Sequence, residues 1–110
     1  VLKAMEADSG ISIKELRVDG GATVNNMLMQ FQADVLNTIT VRPKVVETTA
    51  MGAAFLAGLA VGFWKDSEEI QKIWQIDQHF FPTTERENIN KDITGWYKAI
   101  KALEYWTIDK

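Results

Sequence analysis

Apolar and polar positions alternate along this chain with two periods, and the changes of period mark its elements. Val1, Leu2 and Met5 fall at helical spacing, and Asp8-Ser9-Gly10 ends that helix, with Gly10 suited to a C-terminal cap. From Ile13 to Val18 apolar and polar residues alternate, which predicts a strand. Asp19-Gly20-Gly21 then breaks the pattern, and Thr23 is a plausible N-cap. Val24, Met27, Leu28, Phe31 and Val35 mark one face of the next helix, with Leu36 beside it and Asn37 at its end. Ile39-Thr40-Val41 is a short β-branched strand halted by Pro43. Strand, helix and strand over this length imply a parallel pair with a right-handed crossover.

Thr48-Thr49 opens a further helix, and from Ala50 to Phe63 there is no charge at all. A bilayer takes about 20 apolar residues to cross, so this run predicts a buried core helix instead of a membrane span. Its glycines and alanines suit close packing. Asp66 and Glu69 resemble a capping box for a short helix carrying Ile70, Ile73 and Trp74. Gln75 to Phe81 reads as extended, and Pro82 to Arg86 as a solvated loop. A last helix places Ile93, Trp96, Tyr97, Ile100 and Leu103 on one face. The class is α/β, with two convincing strands and an incomplete parallel sheet packed by helices. At least one sheet edge is left exposed or covered by something outside this stretch. The chain opens without methionine, inside a helix, so a piece of something longer is expected.

Composition narrows the function. A chain of 110 residues with 46% hydrophobic content has the size and apolarity of one modest globular unit. Its net charge of −3, with scattered Lys and Arg, argues against nucleic acid or an anionic membrane as main partner. There is no cysteine and a single histidine, so neither a disulfide framework nor a zinc site of usual composition is expected, and an intracellular setting fits.

Chemistry concentrates in Leu16-Arg17-Val18-Asp19-Gly20-Gly21-Ala22-Thr23-Val24-Asn25-Asn26. A strand, a glycine turn and a helix start suit phosphate. The glycines admit close backbone approach, and the helix start offers unpaired N–H groups and a positive dipole end. A plain α/β turn with no ligand carries the same pattern. The Walker loop is absent for want of Gly-Lys-Ser/Thr, and the dinucleotide fingerprint fails for want of its third glycine and its acid. Asp19 stands at the carboxyl end of a strand, where open sheets bind ligands, although its side chain could simply cap the turn. His79 lacks an orienting carboxylate, and Arg42 and Glu47 read as surface charges.

Leu16 to Ala22, Asn25-Asn26, Met29 to Asp34, Arg42-Pro43, Glu47 to Trp64 and Gly95-Trp96 together resemble the C-terminal part of the FGGY carbohydrate kinases. The likeness is to their glycerol-phosphorylating members, and it is weakest from Asp77 to Asn90. The resemblance implies part of an actin-like, ribonuclease H-like ATPase domain, residues 1–110 being the C-terminal part of its nucleotide-binding domain. It implies binding of ATP or ADP, with Gly21 against phosphates and ribose, Asn25 by the adenine, and Gly20 and Ala22 supporting them. Asn25 carries both an amide donor and an acceptor for a base edge. It implies transfer of phosphate from MgATP to glycerol, giving sn-glycerol 3-phosphate and ADP. The catalytic aspartate, the glycerol site and most Mg2+ contacts would lie upstream, so no catalytic and no metal residue is assigned here, and the stretch alone is expected to be inactive. A cytoplasmic homo-oligomer, with the N-terminal domain of the same chain as partner, completes the expectation. A fragment of a xylulose or gluconate type kinase, or a stand-alone interaction module using Trp96, Tyr97 and Trp106, are the alternatives.

Overall fold

The computed structural model describes residues 1–108. Helix α1, Leu2–Ser9, buries no residue and ends on Gly10, whose φ of 69° places it in the left-handed region. Strand β1 is Glu15–Arg17, shorter than the alternation suggests. The Ile13 N–H is donated to Glu6 Oε1 at 2.8 Å, which takes that residue out of the ladder. A 3-10 turn, Gly21–Val24, leads into α2, Asn26–Leu36. Thr23 lies inside that turn, so the N-cap of α2 is Asn25, whose side chain accepts from the Leu28 N–H at 3.1 Å. Asn37 ends α2 at φ 51°, and the Thr38 N–H reaches back to Ala33 O at 3.2 Å in a Schellman closure.

Strand β2, Ile39–Pro43, runs parallel to β1, with Leu16 opposite Thr40. The extended stretch after Trp74 becomes a third strand, β3, Ile76–Phe80, antiparallel to β2 with Val41 opposite His79. The sheet is therefore mixed, in the order β1-β2-β3. Pro43 has no N–H to donate, and the register slips between Arg42 and Pro43. As the central strand, β2 is covered on both sides: Thr40, Val41 and Arg42 are all buried.

The core is small. Met29 and Ala33 of α2 meet Phe80 of β3, with Val18 against them. The row of α2 expected inside, Val24, Met27 and Phe31, is exposed. The slim Ala33 row lets the helix approach the sheet, while Phe31 and Val35 turn toward α5, Arg86–Ile108, across an open groove of about 690 Å³. On α5 itself Ile89 is buried, whereas Trp96, Tyr97 and Leu103 are exposed.

The uncharged run forms α3, Thr48–Ala60, but it is not a core helix among the described residues. Only Gly58 is buried along it, and Leu56 is 72% exposed. A helix apolar on every side needs cover on every side, and a three-stranded sheet is too small to provide it. Its end is well built: Gly62, at φ 77°, donates to Leu59 O at 3.3 Å and Phe63 donates to Gly58 O at 2.8 Å. The Trp64 ring then folds back onto Gly58, where any Cβ would meet it. Helix α4, Ser67–Ile73, has the expected cap, Asp66 accepting from the Glu69 N–H at 3.0 Å, and Glu69 Oε2 accepts from Lys65 N–H at 2.7 Å.

The radius of gyration is 18.3 Å, against about 13 Å for a compact domain of this length. No helix of the described residues is long and apolar enough to cross a membrane.

Thr40 supplies a first test. Its side-chain oxygen is fully buried and finds no hydrogen-bond partner among the described residues. Thr40→Val keeps the shape and removes the unpaired hydroxyl. It is expected to raise stability by about 1 kcal/mol, read as an increase in the urea midpoint at constant m-value.

Candidate functional site: the glycine turn and its supports

The turn after β1 is built around two unlike glycines. Gly20 has φ 89° and ψ 168°, a conformation all but reserved for glycine. Its N–H is donated to Val46 O at 2.9 Å, and its carbonyl accepts both the Thr23 N–H at 3.1 Å and the Thr23 hydroxyl at 2.7 Å. Thr23 is buried and closes the 3-10 turn from inside. Gly21, the first residue of that turn, has ordinary φ, and a Cβ added there would meet nothing within 4 Å. Gly21 and Ala22 are both exposed, so this part of the backbone borders open space.

Asp19 leaves the strand end and accepts a hydrogen bond from the Thr48 hydroxyl at the start of α3. It therefore ties the turn to α3, which is a structural role close to the capping one. Asn25 is exposed in extended conformation, with φ −80° and ψ 104°. Its Oδ1 is committed to Leu28, so among the described residues the Nδ2 donors are the groups left for a ligand. Exposed Gly21, Ala22 and Asn25, with half-buried Gly20, thus follow one another along one short wall from the strand end to the helix start.

The main correction concerns Arg42, read from sequence as a surface charge. Its side chain is only 10% exposed. One guanidinium nitrogen donates to Thr23 O and to Asn26 Oδ1, each at 2.8 Å. Nε donates to Asp77 Oδ2 at 2.8 Å, and the remaining nitrogen lies 2.8 Å from the same oxygen and 3.3 Å from Gln78 Oε1. The guanidinium also sits 5.3 Å over the Phe80 ring. Glu47 is exposed, as expected.

A second support was not visible in the sequence. Asp34 on α2 is buried, and its carboxylate accepts from Thr83 N–H at 2.8 Å, Thr84 N–H at 3.3 Å, the Thr84 hydroxyl at 2.7 Å and Gln30 Nε2 at 3.1 Å. Burial pushes its carboxyl up, but the bonds from Thr83, Thr84 and Gln30 together outweigh this and hold it below the ordinary value. Arg86 donates to Asp34 O at 2.8 Å and Gln30 to Phe81 O at 2.7 Å. The stretch from Pro82 to Arg86, read as a solvated loop, is fastened to α2. The only sequence signal was a cluster of threonines before a helix, which also suits an ordinary cap.

His79 is exposed and stacks on Phe81 at 6.0 Å, apart from the bonds that build the glycine turn. Among the described residues no cluster of three or more His, Cys, Asp or Glu is placed to hold a metal ion. The arrangement presents backbone and the Asn25 amide to a ligand.

Residues 1–61 match the model of the FGGY family of carbohydrate kinases, C-terminal domain. The chain is 60% identical over 106 residues to a glycerol kinase of Paraburkholderia phytofirmans, covering 96% of this chain and 21% of that protein. It is 56% identical over 110 residues to a glycerol kinase of Chromobacterium violaceum, covering 22% of it. The chain thus spans about a fifth of the length of the curated relatives it matches. Among solved structures it resembles Plasmodium falciparum glycerol kinase with ADP, with a TM-score of 0.74, 33% identity and cover of 91% of this chain and 20% of that one. A ligand-bound xylulose kinase from Lactobacillus acidophilus shares the fold, with a TM-score of 0.67 over 84% of this chain and 19% of that one, at 24% identity. With more than half its length matched by the family model and nearly all of it aligned to glycerol kinases, the chain belongs to the FGGY family of carbohydrate kinases.

Proposed function

We propose that this chain is one wall of the nucleotide site of a longer kinase that transfers phosphate from MgATP to glycerol, yielding sn-glycerol 3-phosphate and ADP. The observation that carries the reading is the bare backbone at Gly21: it is exposed, unstrained, and faces space in which even a Cβ would meet no protein atom. Phosphate and ribose fit against such a surface, while Gly20 supplies the turn that exposes it and Ala22 continues it with a minimal side chain. Asn25 holds its Nδ2 donors free for an acceptor on the adenine, because its Oδ1 is fixed by Leu28. The glycerol kinase relatives and the neighbour solved with ADP support the choice of nucleotide and acceptor.

Phosphoryl transfer depends on positioning and on charge stabilisation by metal and donors. Magnesium would arrive on the nucleotide phosphates, held by residues outside this stretch. Residues 1–110 are the C-terminal part of the nucleotide-binding domain, with the catalytic aspartate and glycerol site on the N-terminal side. The whole enzyme is a cytoplasmic homo-oligomer in this reading.

The wall can be tested directly. Titrating the nitrogen-15-labelled chain with MgADP is expected to shift amide resonances centred on residues 20–26. A folded sample whose shifts fall elsewhere, or are absent at millimolar MgADP, counts against the assignment. The purified chain is expected to show no glycerol phosphorylation above a protein-free control.

A further inference from the structure

We propose that Arg42 is a positioning residue for the adenine side of the site, holding Asn25 in place from behind; this rests on the nucleotide reading above. Val24 and Asn25 are the two residues between the points that the guanidinium grips. One nitrogen bonds the carbonyl of Thr23 and the side chain of Asn26, both at 2.8 Å, so the chain is held on each side of Asn25. The Asn25 side chain is in turn set by the start of α2, through the Leu28 N–H. Arg42 therefore controls where the Asn25 Nδ2 donors point without touching a ligand itself.

The choice of residue follows from geometry. Three directions must be served at once: the 3-10 turn, the first residue of α2, and β3. A planar fork with five donors serves all three, and the three donors of an ammonium on a flexible stem do not hold that plane. The guanidinium charge is also fully engaged. Asp77 Oδ2 lies 2.8 Å from two of its nitrogens, Gln78 Oε1 takes a third bond, and the Phe80 ring covers one face. With its donors directed inward and its side chain 10% exposed, Arg42 is not available to bind phosphate directly. Asp77 completes the device from the far side. It is 45% exposed and anchors the group that holds both ends of the Asn25 segment.

The test uses the full-length kinase that carries this segment and measures affinity for MgADP and for magnesium ribose 5-diphosphate, which lacks the base. Their ratio isolates the adenine contribution. A merely structural loss lowers the binding-competent fraction for both ligands alike and leaves the ratio unchanged. Asn25→Ala sets the scale of that contribution. Arg42→Lys and Asp77→Asn are expected to lower the preference for MgADP, the former by up to about tenfold, the size expected for loss of the neutral hydrogen bond from Asn25 to the base. Adding Arg42→Lys to Asn25→Ala is expected to lower it no further, since both act on one contact. If Asn25→Ala reduces the preference but Arg42→Lys and Asp77→Asn leave it intact, the positioning role is overturned. If Asn25→Ala itself leaves the preference intact, the nucleotide reading of this wall fails instead. Should Arg42→Lys not fold, Asp77→Asn decides the positioning role from a half-exposed site: a lowered preference supports it and an intact one overturns it.

Discussion

Gly21→Leu is expected to abolish nucleotide binding by the full-length protein while leaving its stability almost untouched. The two halves of that outcome come from the same local geometry. At Gly21 the backbone is unstrained and a Cβ would meet nothing within 4 Å, so the folded chain accommodates a side chain there. An exposed substitution of this kind changes stability by about 0.5 kcal/mol or less. The added leucine then occupies the space that the proposal gives to phosphate and ribose, and MgADP affinity is expected to fall by about 100-fold or more, because no neighbouring backbone can retreat to restore the contact. Calorimetric titration with MgADP, beside a thermal melt, reads both effects. Gly20→Leu is the informative contrast. Its φ of 89° and ψ of 168° lie where side chains are strained, so that variant is expected to lose about 1–3 kcal/mol of stability as well as binding. Unchanged MgADP affinity in folded Gly21→Leu would remove the nucleotide wall from this face of the molecule.

The largest effect on stability is expected at Asp34. Its carboxylate serves Thr83, Thr84 and Gln30 from a buried position, so Asp34→Ala removes the shared acceptor of two backbone donors and a hydroxyl on an exposed segment at once. Such a loss costs about 3 kcal/mol. It is expected to release the segment after β3 before the rest of the fold, seen as faster amide exchange at Thr83 and Thr84 than in β2. The same group gives a pH dependence whose sign is fixed. Its folded pKa lies below the ordinary value of 3.8, so its contribution is fully present above that value and is lost as pH falls through the lower, folded one. The stability difference between the parent chain and Asp34→Asn is therefore expected to be largest near neutrality and to shrink in acid. A difference that grew on acidification would contradict the hydrogen-bonded carboxylate.

Local patterns proved a good guide to what neighbours in sequence decide. Gly10, Asn37 and Asp66 end or begin helices as their residue types suggest, and the glycine turn follows a strand as its spacing implies. Patterns failed where the partner lies far along the chain. Arg42 is buried because Asp77 and Gln78 arrive 35 and 36 residues later on β3, and nothing within a helical turn or a strand step of Arg42 announces them. Asp34 is buried because Thr83 and Thr84 return to it across about fifty residues. Asn25 displaced Thr23 as N-cap because Thr23 is drawn into the 3-10 turn by the Gly20 carbonyl. The third strand was legible as extended, but its direction was not, since side chains on a strand alternate alike in either orientation. Along α2 the large apolar residues misled: contact with a sheet is made by the row that lets the backbone come close, here Met29 and Ala33. The glycine turn was legible as a turn, and the buried Arg42 bonded to it was not.

The bare sides of α3, with Leu56 and Val61 uncovered on it and beside it, make this stretch a candidate for the smaller piece of a two-piece protein. A strand edge free on β1 and a helix apolar all round are surfaces that a complementary polypeptide can rejoin without a covalent link. Under the proposed function, co-expression with the remainder of the kinase would turn reassembly itself into a signal: growth on glycerol would report that the two pieces have found each other, and a charge placed at Leu56 would silence it.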